Sequence, residues 1–302
     1  MIEFRHLSKR FGDKLAVDDL GFTAAPGRVT GFLGPNGSGK TTTMRILLGL
    51  EAADSGEALV SGEPYRNIKN PLFQVGALLD ARNAHPGRSG FDHLRALALT
   101  HGISNERVEF VLEEVGLSGV ASRRIGGYSL GMRQRLGIAA SMLGDPEVFV
   151  FDEPVNGLDP DGVMWFRELV RDFAAEGRTV LLSSHLISEV ALTADHVVIV
   201  GRGKVLADSA LSDLARLQGA ERVVVRSPQA RELIVPLAAS GARVVEERDA
   251  LVIQGSTAEE VGLLAARLSI PLIELRTQVE SLEETYRQLT DSSVEYRQGS
   301  EK

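Results

Sequence analysis

Eight residues near the start of the chain, Gly34-Pro35-Asn36-Gly37-Ser38-Gly39-Lys40-Thr41, have the types and spacing of a phosphate loop, G-x-x-x-x-G-K-[ST]. Glycines let the backbone curl until its N–H groups point inward at phosphate oxygens. A helix starting near Lys40 adds the positive end of its dipole. Lys40 then reaches the β- and γ-phosphates, the Thr41 hydroxyl ligates Mg²⁺, and Thr42 is expected among the nucleotide-binding residues. A second group, Val148-Phe149-Val150-Phe151-Asp152-Glu153, is an apolar run ending in two carboxylates. On a short strand both acids sit at the carboxyl end, where open α/β sheets bind ligands. Asp152 would hold Mg²⁺ through water. Glu153 would take a proton from an attacking water, or orient it. The two groups together point to hydrolysis of a bound phosphate chain with Mg²⁺.

These residues need a scaffold, and the chain is large enough to supply one. It has 302 residues, 43% apolar and 25% charged, which suits one large domain or one large plus one small. The net charge of -8 argues against a nucleic-acid partner. With no cysteine there is no disulfide and no thiolate metal site. The N-terminus, MIEFRHLSKRF, lacks the apolar core of a signal peptide. The longest apolar runs, such as Val148 to Phe151 and Val197 to Val200, fall far short of the roughly 20 residues that span a bilayer. If the chain serves transport, the pore is another polypeptide.

Alternation predicts strands over Ile2 to Leu7 and Leu15 to Phe22, with a turn at Phe11-Gly12-Asp13. Val29 to Leu33 is a β-rich run entering the phosphate loop, and Met44 to Leu50 continues as helix. The spacing of Leu94, Leu97, Ala98, Val108, Val111, Leu112 and Val115 predicts helix over Phe91 to Leu117. Helices are expected over Met132 to Leu143, Trp165 to Phe173 and Leu186 to Ala191. Strands are expected over Val148 to Asp152 and Thr179 to Ser183, and as a hairpin over His196 to Val200 and Lys204 to Ala207. Strands alternating with helices give a parallel α/β core with an antiparallel portion at the start. Beyond about Ser209 the pattern becomes βαββαβ plus a final helix over Val279 to Leu289, a ferredoxin-like α+β order. The expected domains are 1–210, with a helical subdomain at about 85–145, then a C-terminal accessory or dimerisation domain over 211–290. Residues 291–302 are polar and expected to be disordered.

The phosphate loop followed by the Asp-Glu strand resembles the nucleotide-binding subunit of an ABC transporter, over about residues 1 to 208. The resemblance implies the ABC-type ATPase fold and a signature loop ahead of the Asp-Glu strand. Here that loop reads Tyr128-Ser129-Leu130-Gly131-Met132, then Arg133-Gln134-Arg135. Ser129 and the N–H groups around Gly131 would start the Met132 helix and offer an anion site for a γ-phosphate. Taken bare, Ser-Leu-Gly is an ordinary helix cap. In this family the anion site meets the phosphate loop of a second copy, so each ATP is sandwiched in a homodimer. Gly157-Leu158-Asp159 resembles the loop that crosses the dimer seam. His185, after Ser183-Ser184, resembles the histidine that contacts the γ-phosphate and helps Glu153 place water. Phe11 resembles the aromatic that stacks on adenine, or else fills the core beside a turn. Where the family has Gln after a strand, Val75-Gly-Ala-Leu-Leu-Asp80 ends in Asp80, a carboxylate able to ligate Mg²⁺ or orient water.

The resemblance implies a separate integral membrane permease and a place at the cytoplasmic face of the cell membrane. Asp80, Tyr128 to Met132 and the ending Ser281-Leu-Glu-Glu-Thr-Tyr-Arg-Gln-Leu-Thr290 are similar to a bacterial subgroup that exports antibiotics and peptide bacteriocins. Leu282, Tyr286 and Leu289 share one helical face, for packing within the domain or for a dimer contact. Two rivals are a soluble ABC ATPase acting on nucleic acid or ribosomes, and a module conferring immunity by sensing its ligand. The first usually carries two ATPase halves or long coiled-coil arms. This chain has one half, and the span from Thr43 to Tyr128 is too short for an arm.

Overall fold

A computed structural model describes residues 1–81, 84–213, 222–247, 249–278 and 286. The alternation at the N-terminus becomes strand β1 (Ile2–Phe11), paired antiparallel with β2 (Lys14–Ala24) through a turn in which Gly12 takes φ 56°. On its other edge β1 pairs with β4 (Ser55–Val60). Strand β4 was not expected from sequence. It opens Ser-Gly-Glu, with no apolar alternation to give it away.

The phosphate-loop strand β3 (Arg28–Leu33) sits inside a six-stranded sheet ordered β5-β6-β7-β3-β8-β9. The others are β5 (Val75–Leu78), β6 (Val148–Asp152), β7 (Thr179–Ser184), β8 (His196–Gly201) and β9 (Lys204–Ala210). The first five run parallel and β9 returns antiparallel from β8. All five residues of β6 are buried, as in a parallel sheet covered on both faces. Phe149 stacks on Phe173 at 4.1 Å, and Phe151 meets Phe166 edge-on at 5.4 Å. These rings anchor the strand that ends in Asp152.

The helices of this unit are α1 (Lys40–Leu47), α2 (Gly90–Leu99), α3 (Asn105–Glu114), α4 (Leu130–Met142), α5 (Pro160–Ala175) and α6 (Ile187–Ala191). The single helix expected over Phe91 to Leu117 is two. Gly102 takes φ 69°, and Ser104 then caps α3 by accepting the Arg107 N–H. Helices α2, α3 and α4 pack on one another.

The chain divides into the unit Met1–Leu211 and the unit Ser212–Gln288. Leu211 donates its N–H to the Asp195 carbonyl, so the first unit runs one residue past the expected boundary. The second unit is an antiparallel sheet of β10 (Arg222–Arg226), β11 (Arg243–Glu247), β12 (Ala250–Gln254) and β13 (Glu274–Gln278), ordered β11-β12-β10-β13. Helices α7 (Ile234–Ala239) and α8 (Ala258–Arg267) complete a βαββαβ order. A 3₁₀ turn at Ala230–Leu233 leads into α7. Val223, Val225, Leu251, Ile253, Leu237 and Val261 form its core. Thr257 and Glu260 form a capping box at the start of α8. The helix expected over residues 279–289 and the tail 291–302 lie outside the described residues, Tyr286 apart. Among the described residues no helix is long and apolar enough to cross a membrane.

Candidate active site

Strand β3 delivers the chain into residues 34–39, and α1 carries it away from Lys40. Gly39 sits at φ 107°, and a Cβ there would lie 2.4 Å from the Ala16 carbonyl oxygen of β2. Glycine is therefore obligatory at that position. The Ser38 N–H donates to the Pro35 carbonyl at 3.1 Å, and the Gly203 N–H to the Ser38 carbonyl at 3.0 Å. The loop is thus pinned between β2 and the β8–β9 hairpin. No side chain caps α1, which leaves the N–H groups of its first turn to an anion. The Ser38 hydroxyl is buried without a hydrogen-bond partner, an orphaned polar atom that suits a phosphate oxygen.

Lys40 is buried, and its Nζ donates to the Gly34 carbonyl at 2.6 Å and the Pro35 carbonyl at 3.4 Å. Burial pushes its pKa below the ordinary lysine value, and the Glu153 and Asp152 carboxylates partly offset that. The Thr41 hydroxyl donates to Asp152 Oδ2 at 2.6 Å, and the Ser183 hydroxyl donates to Asp152 Oδ1. Ser183 also accepts the Glu153 N–H at 3.0 Å. Glu153 itself takes φ 49°, a left-handed conformation uncommon for a side chain of its kind. Its Oε1 lies 3.9 Å from Lys40 Nζ and its Oε2 lies 2.9 Å from His185 Nδ1. Lys40, Thr41, Asp152, Glu153 and His185 therefore form one cluster drawn from β6, β7 and α1.

Asp80, just past β5, lines the same cleft of about 1020 Å³ as Thr41, Asp152 and Glu153. Among the described residues no group of three His, Cys, Asp or Glu side chains could hold a metal alone. The oxygen donors Thr41 and Asp152 suit Mg²⁺, which is usually bound by one or two protein ligands plus phosphates and water.

Phe11 ends β1 opposite Lys14, two residues along β2 from Ala16, whose carbonyl oxygen lies against Gly39. Its ring is 48% exposed, which excludes the core-filler reading, and Lys9 Nζ lies 5.1 Å from its centroid. Ser129 caps α4 by accepting the Met132 N–H at 3.1 Å, so the helix begins two residues before the expected Met132. Gly131 packs so closely on the next loop that a Cβ would lie 2.9 Å from the Gly157 carbonyl oxygen. Asp159 caps α5, accepting the Gly162 N–H at 2.8 Å. Among the described residues no hydrogen bond or ion pair joins Ser129, Gly131 or Asp159 to residues 34–42.

Two residues of this site were missed in the sequence. Ser183 ties both acids to β7, and its only signal is a polar pair closing an apolar strand. Gln134 is buried in α4 and donates to the carbonyls of Glu153 and Pro154. A glutamine set between two arginines gives no sign of that in the sequence.

The ABC transporter family profile matches residues 17–156. A bacitracin transport ATP-binding protein of Bacillus licheniformis is 39% identical over 209 residues, 68% of each chain. A lantibiotic transport ATP-binding protein of Streptococcus pyogenes is 34% identical over 206 residues, 68% of this chain and 89% of its own. The chain belongs to the ABC transporter ATP-binding proteins. A solved ATP-binding subunit of an ABC transporter superposes with TM-score 0.66 at 27% identity, over 72% of this ATP-binding protein and 93% of that chain. A profile for a domain of unknown function matches residues 221–283. The ATP-binding protein is therefore an ATPase subunit.

Proposed function

We propose that this ATP-binding protein powers an exporter of antibiotics, peptides or other hydrophobic compounds, acting as a homodimer that closes on two Mg·ATP. A separate integral permease would carry the cargo and hold the dimer at the cytoplasmic face of the membrane. The export of such compounds rests on relatives named for bacitracin and lantibiotic transport. The observation that carries the dimer is the division of the site. Lys40, Thr41, Asp152, Glu153 and His185 are gathered around the phosphate loop, while Ser129 and Gly131 head a helix that bonds elsewhere.

The chain's own residues then have these roles. The loop N–H groups of residues 34–39 and Lys40 hold the β- and γ-phosphates. Thr41 and Asp152 hold Mg²⁺, with Asp80 as a further carboxylate on the same wall. Held there, Mg²⁺ would supply positive charge against the phosphate oxygens. Glu153, paired with His185, orients the attacking water in line. Phe11 stacks on adenine. Ser129 and the N–H groups at Gly131 dock on the γ-phosphate held by the other copy, beside Asp159. Closure of the halves, and their parting after hydrolysis, is the stroke passed to the permease. Ser212–Gln288 is read as an accessory domain.

The test is size-exclusion of the Glu153→Gln variant with Mg·ATP, which should hydrolyse very slowly and run as a dimer. Adding Ser129→Arg should leave ATP bound and return the protein to monomer. A dimer that survives Ser129→Arg would overturn the sandwich. A detergent-solubilised membrane pull-down should retain an integral protein.

A further inference from the structure

The carboxylate of Glu153 is aimed by an unusual stretch of backbone. At φ 49° the residue is in the left-handed region, where a non-glycine residue persists only if its surroundings over-determine it. On one side its N–H is held by Ser183 of β7 at 3.0 Å. On the other, Gln134 Nε2 donates to the Glu153 carbonyl at 3.3 Å and to the Pro154 carbonyl at 2.7 Å. Gln134 is 5% exposed and never touches the carboxylate. Its helix also braces the loop beyond Pro154 and the start of α5. A Cβ at Gly157 would meet Leu130 at 2.4 Å, and the Arg135 guanidinium lies 4.4 Å from the Trp165 ring of α5. The stretch from Glu153 to Trp165 thus leans on the first two turns of α4.

We propose that Gln134 is a positioning residue for hydrolysis, clamping the left-handed Glu153–Pro154 turn so that the carboxylate faces the phosphate loop. The inference rests on Glu153 being the water-orienting carboxylate. It also gives α4 a second task. Ser129 and Gln134 lie five residues apart on one rigid helix, about 7.5 Å along its axis. In the dimer, docking of Ser129 on one nucleotide is transmitted to the Glu153 that serves the other.

The test is single-turnover hydrolysis of Mg·ATP by the full chain carrying Gln134→Leu, which keeps the volume and removes the donor. The rate should fall roughly 10- to 100-fold, as for the loss of a buried hydrogen-bond partner, with ATP affinity within about twofold of wild type. In a Glu153→Gln background the same substitution should cost nothing further, because residues that act through one another are not additive. An unchanged rate, a parallel loss of ATP affinity, or an equal loss in the Glu153→Gln background would overturn the proposal. If Gln134→Leu does not fold, Gln134→Asn, one methylene short with its amide retained, should show a smaller loss with the same dependence on Glu153. Failure of the underlying reading looks different: Glu153→Gln alone would then hydrolyse at the wild-type rate.

Discussion

Ser183→Ala tests the idea that one buried hydroxyl holds both acids. Ser183 is fully buried, donates to Asp152 and accepts the Glu153 N–H. Removing it strands that N–H, at about 1–3 kcal/mol for a buried unsatisfied donor, and takes one donor from a carboxylate that keeps Thr41. Together the losses come to about 3 kcal/mol. For a unit such as Met1–Leu211, ~1 kcal/mol shifts the midpoint by roughly 2–4 °C, so a fall of about 6–12 °C is expected. Trp165 is the chain's single tryptophan and lies in α5, so its fluorescence follows this unit alone in the full-length protein. ATP turnover should fall with the melting temperature, because the Glu153 turn loses the clamp on its amino side. A melting temperature within about 2 °C of wild type would mean the bonds are replaced by water, and the reasoning from burial would be refuted.

Lys40→Ala should abolish ATP binding or turnover, and wild-type ATPase in that variant would remove Lys40 from the site. Gly39→Ala should keep the fold by circular dichroism yet lose at least roughly tenfold in ATP affinity, because a Cβ would stand 2.4 Å from the Ala16 carbonyl oxygen at φ 107°. Phe11→Ala should raise KM for ATP roughly 2- to 10-fold with kcat unchanged, the worth of one aromatic stack, while Phe11→Tyr should not. An unchanged KM for Phe11→Ala would leave the exposed ring without a nucleotide role.

The parts legible in the sequence are those encoded locally. The phosphate loop announces itself because backbone approach to phosphate needs glycine at fixed offsets. Strand β6 shows because a strand buried on both faces reads as a near-continuous apolar run, here Val148 to Phe151. The break between α2 and α3 was signalled by Gly102 and Ser104, but helical periodicity on either side masked it. Strand β4 was hidden because only its second half is buried. What sequence could not display is the partnership of distant residues. The left-handed turn at Glu153 looks ordinary in the chain. It exists because Ser183, thirty residues on, and Gln134, nineteen before, hold it from both sides.

The Thr41–Asp152 bond carries a consequence for charge. The cleft lining carries Asp152 and Glu153 as well as Arg45 and Arg133, and a cation placed between the two carboxylates and a polyphosphate would relieve their repulsion. A hydroxyl has one proton and two lone pairs. By giving its proton to Asp152, Thr41 keeps its lone pairs for that cation, and the carboxylate fixes its orientation from behind. Ser183 steadies the same carboxylate from the other side. Thr41 would ligate the metal directly, and Asp152 would act through the hydroxyl and through water. On this arrangement Thr41 and Asp152 would favour ATP that arrives with its metal.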